Sequence, residues 1–243
     1  MSKIEWTEQT WNPVTGCVKV SPGCKHCYAE TMARRLQAMN APGYDNGFKL
    51  SLLPDRLSQP LKRKKPTMYF VNSMSDLFQD SVPEQFIDQV FEVIRTTPQH
   101  TYQVLTKRST NMKAYFSTRE VPDNAWLGVS VEDRKYGLPR IPDLTEIEAG
   151  TRFLSIEPLL EDVGELELNN IHWVIVGGES GKGARPMKEA WVVNIRNQCI
   201  KSDVEFFFKQ WGAWGVDGEQ RSKKANGREL EGRLWDGMPL VSV

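Results

Sequence analysis

The chain has 243 residues, 40% of them apolar and 26% charged, with 18 Gly and 14 Pro. That profile excludes a collagen-like, disordered or membrane-spanning protein, and the length suits one α/β barrel of roughly 200–250 residues. Lys plus Arg and Asp plus Glu number 31 each, so zero net charge gives no general attraction to nucleic acid or membrane, although a local patch still serves.

Met1–Glu8 (MSKIEWTE) lacks the basic head and apolar core of a secretory signal. No apolar run approaches the ~20 residues of a bilayer span, so the expected location is the cytoplasm, where thiols stay reduced. Ala29–Met39 reads as a helix. Ala41–Pro66, with four prolines and the basic run Lys62–Lys65, reads as an irregular excursion. Short β-branched and aromatic runs then predict buried strands at Met68–Val71, Tyr102–Leu105, Trp126–Val131, Arg152–Ile156, Trp173–Val176 and Glu205–Phe208. Between them lie amphipathic helices at Glu84–Ile94, where Phe86, Val90, Phe91 and Ile94 share a face, and at Ala190–Ile200. Strands spaced by helices imply right-handed βαβ units and a parallel sheet. The expected fold is therefore α/β, a partial (β/α) barrel of about six parallel strands over residues 1–211. Residues 212–243, rich in Gly and charge, read as a C-terminal extension packed on that barrel.

Every predicted strand runs straight into polar residues: Asn72-Ser73, Thr106-Lys107, Glu132-Asp133, Glu157, Gly177-Gly178-Glu179 and Lys209-Gln210. In parallel α/β folds the ligand site lies at the carboxyl ends of the strands, which points to one polar mouth. Ser130-Val131-Glu132 echoes Ser155-Ile156-Glu157, and residues two apart in a strand share a face.

The four cysteines are unevenly placed. Cys17, Cys24 and Cys27 lie in WNPVTGCVKVSPGCKHCY, with six residues and then two between them, while Cys199 lies far downstream on a predicted apolar helix face. In a reducing compartment such a cluster reads first as a metal site. Three thiolates match a [4Fe–4S] cluster with one iron left open, or a zinc that needs a fourth ligand such as His26 or Cys199. A buried, inert Cys199 suits its helix better.

A three-cysteine loop between a first strand around Thr10–Val14 and a helix, opening a βα barrel, resembles the radical S-adenosylmethionine superfamily. The first spacing departs from it, being six residues rather than three. The stretches WNPVTGC, PGCKHCYAE, VNSMSDLF, WLGVSVE, FLSIEPLL, WVIVGGESG and FFFKQWG are similar to a phage and prophage family of three-cysteine proteins, over about Trp11–Gly212. The resemblance implies that Cys17, Cys24 and Cys27 bind a [4Fe–4S] cluster whose open iron takes S-adenosylmethionine, giving a 5′-deoxyadenosyl radical that abstracts hydrogen. It also implies an electron donor such as flavodoxin or ferredoxin. The superfamily's glycine-rich motif after the second strand is replaced here by Asn72-Ser73-Met74-Ser75-Asp76, and the letters Gly177-Gly178-Glu179 come several strands later.

Asn72, Ser73, Ser75 and Asp76 are candidates for the cofactor ammonium or for capping the next helix. Ser130, Glu132 and Glu157 suit a ribose diol or a substrate amine, or a salt bridge with Lys107 or Arg108. Gly177, Gly178 and Gly181 suit close approach of a flat ligand such as adenine, or a turn, and Glu179 among them is a further cofactor-binding candidate. Lys209 closes the last strand, and Trp211 beside it is placed to stack on a base or to pack. Arg221, Lys223, Lys224 and Arg228 form a second basic concentration, and His100 and His172 fall at strand starts, as structural residues would. No Walker loop, Gly-x-Ser-x-Gly elbow or His-Glu-x-x-His motif is present, which disfavours common hydrolases. Two functions follow. One is a radical enzyme of unread substrate, a nucleoside or nucleic-acid base being the class that fits a phage-type protein. The other is a non-enzymatic nucleic-acid-binding protein stabilised by iron–sulfur or zinc. A passive electron carrier is disfavoured, because carriers usually hold each cluster through four cysteines.

Overall fold

The computed structural model describes residues 4–240. The chain runs through β1 (Gln9–Trp11), β2 (Val14–Thr15), α1 (Tyr28–Ala38), β3 (Ser51–Leu52), β4 (Met68–Val71), α2 (Glu84–Thr96), β5 (Thr101–Thr106) and α3 (Ser109–Phe116). It continues through β6 (Ala125–Ser130), α4 (Arg140–Thr145), β7 (Thr151–Ile156), β8 (Trp173–Gly177), α5 (Glu189–Lys201), β9 (Glu205–Gln210) and α6 (Lys223–Asn226). The two ends of the chain expected from sequence, residues 1–3 and 241–243, lie outside the described residues. No helix among the described residues is long and apolar enough to cross a membrane.

Seven strands form one parallel sheet in the order β1-β4-β5-β6-β7-β8-β9, so each new strand is laid beside the last. Without a reversal of order, right-handed crossovers place their helices on a single face, and the other face curls on itself. The result is the expected α/β partial barrel, with seven strands where six runs and one possible first strand were read. The seventh is the short β1; β2 and β3 pair antiparallel in a separate ribbon.

Alternation along each strand splits the core in two. Outward positions such as Val71, Tyr102, Val104, Leu127, Leu154, Val174 and Phe208 meet the buried stripe of α2 (Phe86, Ile87, Val90, Phe91, Val93 and Ile94) and of α5. Inward positions at the amino ends of the strands supply Phe70, Trp126, Phe153, Trp173 and Phe207, which close round Trp6 as an aromatic plug. Trp173 meets Trp6, Trp126 and Phe207 edge-on, and the Phe153 ring occupies the space that a side chain at Gly128 would need. The bottom of the barrel is therefore sealed by apolar rings, with the buried Gln103 among them donating to Trp6 O at 3.1 Å, while the charged side chains gather at the carboxyl end.

Residues of the C-terminal stretch cover the free edge of β9. Asp236 bridges Phe207, Phe208 N–H donates to Trp235 O at 2.9 Å, and Trp173 Nε1 donates to Gly237 O at 2.7 Å. An otherwise unpaired edge is thereby satisfied. His100 is buried with Nε2 against Pro60 O and Arg63 O, and His172 Nδ1 accepts from Arg152 N–H, both away from the mouth. Trp211 is buried against Phe208 with Nε1 bonded to Glu229 O, so it packs and offers no face for stacking.

Candidate active site

The cysteine loop leaves β2 at Gly16, whose φ of +81° is the left-handed conformation open to glycine, and where a Cβ would strike Lys49 O. The segment after β4 holds that point. Ser75 Oγ and Gln79 Nε2 both donate to Gly16 O, at 2.6 and 2.9 Å, and Gly16 N–H donates to Met74 O at 3.0 Å. Asn72 Oδ1 accepts from Val14 N–H at 3.2 Å, while Ser73 Oγ and Met74 N–H donate to Asn12 Oδ1. Asn72, Ser73 and Ser75 thus clamp the loop. They do not cap α2, which begins only at Glu84. One donor in this clamp, Asn72 Nδ2, is buried without a partner.

Asp76 is saturated. Its Oδ1 accepts from Phe78 N–H and Thr106 Oγ1, and its Oδ2 from Lys107 N–H and Arg108 Nη1 at 3.0 Å. Arg108 in turn donates to Cys17 Sγ at 3.7 Å and to Val18 O at 2.8 Å. Burial pushes the Cys17 thiol up to about 11, the Asp76 charge adding to the rise and the Arg108 charge and hydrogen bond opposing it.

The loop then crosses the mouth. Glu132, fully buried at 0% exposure, receives Arg140 Nη1 at 2.6 Å, Lys107 Nζ at 3.8 Å and the Ser21 hydroxyl of the cysteine loop. Gly23 is packed so closely on it that an added Cβ would lie 2.9 Å from its carboxylate. Burial raises the Glu132 carboxyl, but Lys107 and Arg140 together with the hydrogen bonds of Ser21 and Arg140 outweigh it and hold it below the usual value. Glu179 works similarly. Arg185 grips both its oxygens, at 2.5 and 2.8 Å, adds its own N–H, and reaches Pro22 O at 3.1 Å. Burial raises that carboxyl too, yet the Arg185 bonds leave it lowered.

The remaining candidates line the barrel side of the mouth. Ser130 and Ser155 are register partners, both buried. Glu157 receives Lys209 Nζ at 3.0 Å and occupies the space a Cβ at Gly177 would take. Gly178 is packed against Trp211 O, so there the missing side chain serves chain-to-chain contact. Beside them, a cavity of about 420 Å³ is lined by Ser180, Gly181, Arg221, Ser222 and Lys223. Arg221 is paired with Asp217 and Lys223 with Glu5. The other basic run, Lys62–Lys65, precedes β4 and lies at the opposite end of the barrel.

Sequence reading missed Arg140, Arg185, Ser21 and Gln79, and met Arg108 only as a partner for the carboxylates. Arg185 carried a faint signal, six residues after Glu179 in a glycine-rich loop. Arg140 carried none.

The donor chemistry fits a centre with three thiolates. Cys17, Cys24 and Cys27 are free, half-buried and on one loop, whereas Cys199 is sealed in the core, its thiol pushed up to about 12 by burial. His26 lies against Gly183. Among the described residues no three His, Cys, Asp or Glu side chains stand close enough together to hold a metal ion.

The chain belongs to the DUF5131 family, described as a protein of unknown function, and the match covers residues 1–239. No curated protein sequence matches it. In fold it is similar to a cysteine-to-serine variant of spore photoproduct lyase, with a TM-score of 0.51 and 14% identity, over 82% of this chain and 63% of that one. Other forms of that lyase align at lower scores. The form with bound dinucleoside spore photoproduct gives 0.47 at 13% identity, over 77% and 59% of the two chains. The form with bound AdoMet and the same dinucleoside gives 0.46 at 11%, over 69% and 55%. The chain thus spans between 55% and 63% of the length of these structures.

Proposed function

We propose that this DUF5131 chain is a [4Fe–4S], S-adenosylmethionine-dependent radical enzyme, with Cys17, Cys24 and Cys27 as the cluster ligands. The observation that supports it is the seat of the three-cysteine loop. It is braced over the carboxyl mouth of a parallel partial barrel by side chains from four regions, after β4, β5, β6 and β8. A loop needed only for structural zinc has no use for that placement. When bound, the two cofactors supply one-electron reductive chemistry and hydrogen abstraction.

The chain's own residues do the rest. Asp76–Arg108, Glu132–Arg140 and Glu179–Arg185 fix the loop against the strand ends. The aromatic plug round Trp6 keeps water from entering through the barrel floor. Glu157 and Lys209, with Ser130 and Ser155, present hydroxyl, carboxylate and ammonium groups to a ligand in the mouth, where a ribose diol or an α-amino group finds acceptors. A nucleoside or nucleic-acid base is the proposed substrate class. A flavodoxin or ferredoxin is the proposed electron donor, a cytoplasmic setting suits the free thiols, and the barrel is taken to end near residue 211 with the remainder as its extension.

Anaerobic reconstitution tests the reading. Wild-type protein should turn brown and bind about four irons per chain. Cys17→Ala, Cys24→Ala and Cys27→Ala should each lose the colour, while Cys199→Ala keeps it. Dithionite-reduced protein should release methionine and 5′-deoxyadenosine from S-adenosylmethionine. Stoichiometric zinc without iron uptake refutes the proposal and returns the metal-stabilised nucleic-acid-binding protein.

A further inference from the structure

We propose that Arg108 and Asp76 form a charge pair that sets the reduction potential of the centre held through Cys17. The inference rests on the reading of the three cysteines as cluster ligands. Among the described residues Cys17 is the one of the three whose sulfur receives a hydrogen bond from a charged side chain, Arg108 Nη1 at 3.7 Å. Cys24 Sγ faces only the neutral Ser21 hydroxyl, also at 3.7 Å.

The guanidinium is not free to leave. Nη1 is shared with Asp76 Oδ2 at 3.0 Å and Nη2 is bonded to Val18 O at 2.8 Å, one residue past the sulfur. Asp76 is itself fixed by three further donors, from Phe78, Thr106 and Lys107. Both side chains are withdrawn from water, with 9% of Arg108 and 8% of Asp76 exposed.

A loop tether does not require this. Ser75 and Gln79 hold Gly16 O, one residue before Cys17, with neutral groups alone. Burying two charges is costly, and a pair so placed is weak evidence of stability. Their placement at a ligand sulfur has a different consequence. Hydrogen bonds and net charge at the sulfurs are the main levers on the potential of such clusters. A guanidinium stays charged at every working pH, so its contribution is constant. It favours the form carrying the extra electron and raises the potential, while the Asp76 carboxylate disfavours that form and lowers it. The two groups oppose each other at one atom, which makes the potential adjustable by either.

The test is an anaerobic redox titration of iron-loaded protein, followed by the electron paramagnetic resonance signal of the reduced cluster. Arg108→Gln should make the cluster about tenfold harder to reduce, a midpoint lower by 59 mV for one electron. Arg108→Lys, which keeps the charge, should fall between that variant and wild type. Asp76→Asn should move the midpoint upward. Opposite signs are the signature, because two residues that only held the loop would disturb the centre in the same direction or not at all. An unshifted Arg108→Gln, or shifts of equal sign, overturns the proposal. Should Arg108→Gln fail to hold iron, an Asp76→Asn midpoint at or below wild type overturns it alone. Wild-type protein that takes up no iron refutes the cluster reading instead, so the two failures are distinct.

Discussion

Glu132 is the residue whose loss should be felt most widely. It is fully buried, its nearest cation Arg140 is 6% exposed, and the two are 2.6 Å apart. In Glu132→Ala the guanidinium of Arg140 keeps one acceptor that the structure gives it, Ser130 O at 2.7 Å, and loses its counter-charge. Breaking a buried pair from one side costs about 3–5 kcal/mol. For a chain of this size each kcal/mol lowers Tm by about 2–4 °C, so a fall of roughly 6–20 °C is expected. Glu132→Gln keeps an acceptor for Arg140 and Ser21 and should lose about half as much. The double change Glu132→Met with Arg140→Leu should recover much of the stability, since neither charge is then stranded.

Thermal and urea unfolding of the metal-free, reduced protein, followed by tryptophan fluorescence, give the Tm shifts and the free energies for wild type and the three variants. The pH dependence supplies a second reading. Because the folded carboxyl lies below its ordinary value of 4.5, its contribution is complete above that value and is lost as pH falls through the depressed one. Wild type should therefore lose stability in acid more steeply than Glu132→Gln. If Glu132→Ala costs less than about 1 kcal/mol with an unchanged m-value, the carboxylate is not balancing Arg140 and the bracing argument is wrong.

Two further outcomes follow from the barrel interior. Glu157→Gln should weaken binding of S-adenosylmethionine to iron-loaded protein by roughly tenfold to a hundredfold in a calorimetric titration, the size of one lost charged hydrogen bond of ~1.5–3 kcal/mol; unchanged affinity with a lowered Tm would make the Glu157–Lys209 pair purely structural. Gly128→Ala puts a methyl group into the Phe153 ring and should cost about 1–3 kcal/mol in thermal unfolding, with no loss meaning that the ring is free to move aside.

The strands were readable because parallel strands buried on both faces must be continuously apolar, as in WVIV and EFFF. Helices α3 and α4 were not. STNMKAYF is short and largely polar at its start, and RIPDLT contains Pro142 inside six residues, so neither shows a helical stripe. The cysteine loop could be found from its spacing alone. Its bracing could not, because the contacts join residues far apart in sequence: Ser21 to Glu132 is a separation of 111, and Pro22 to Arg185 one of 163. The segment Asn72–Asp76 was recognised as special but for another reason. Its polar side chains read as ligand groups or caps, whereas their partners in the fold are Val14, Asn12, Gly16 and Arg108.

The ion pairs divide the mouth into two halves with different freedom. On the β4–β6 half, Asp76–Arg108 and Glu132–Arg140 are below 10% exposed, saturated with partners and tied to the loop backbone or to Ser21. A ligand that recruited either carboxylate would have to strand a buried arginine, which costs more than one hydrogen bond returns. On the β7–β9 half, Glu157 and Lys209 are 14% and 17% exposed, each with one charged partner. Exchanging that pair for a pair with a ligand is close to neutral in charge and strands nothing. A ligand of the proposed kind would therefore be best accommodated on the β7–β9 side, against Glu157, Gly177 and Lys209, while the charges of the β4–β6 side hold the cysteine loop.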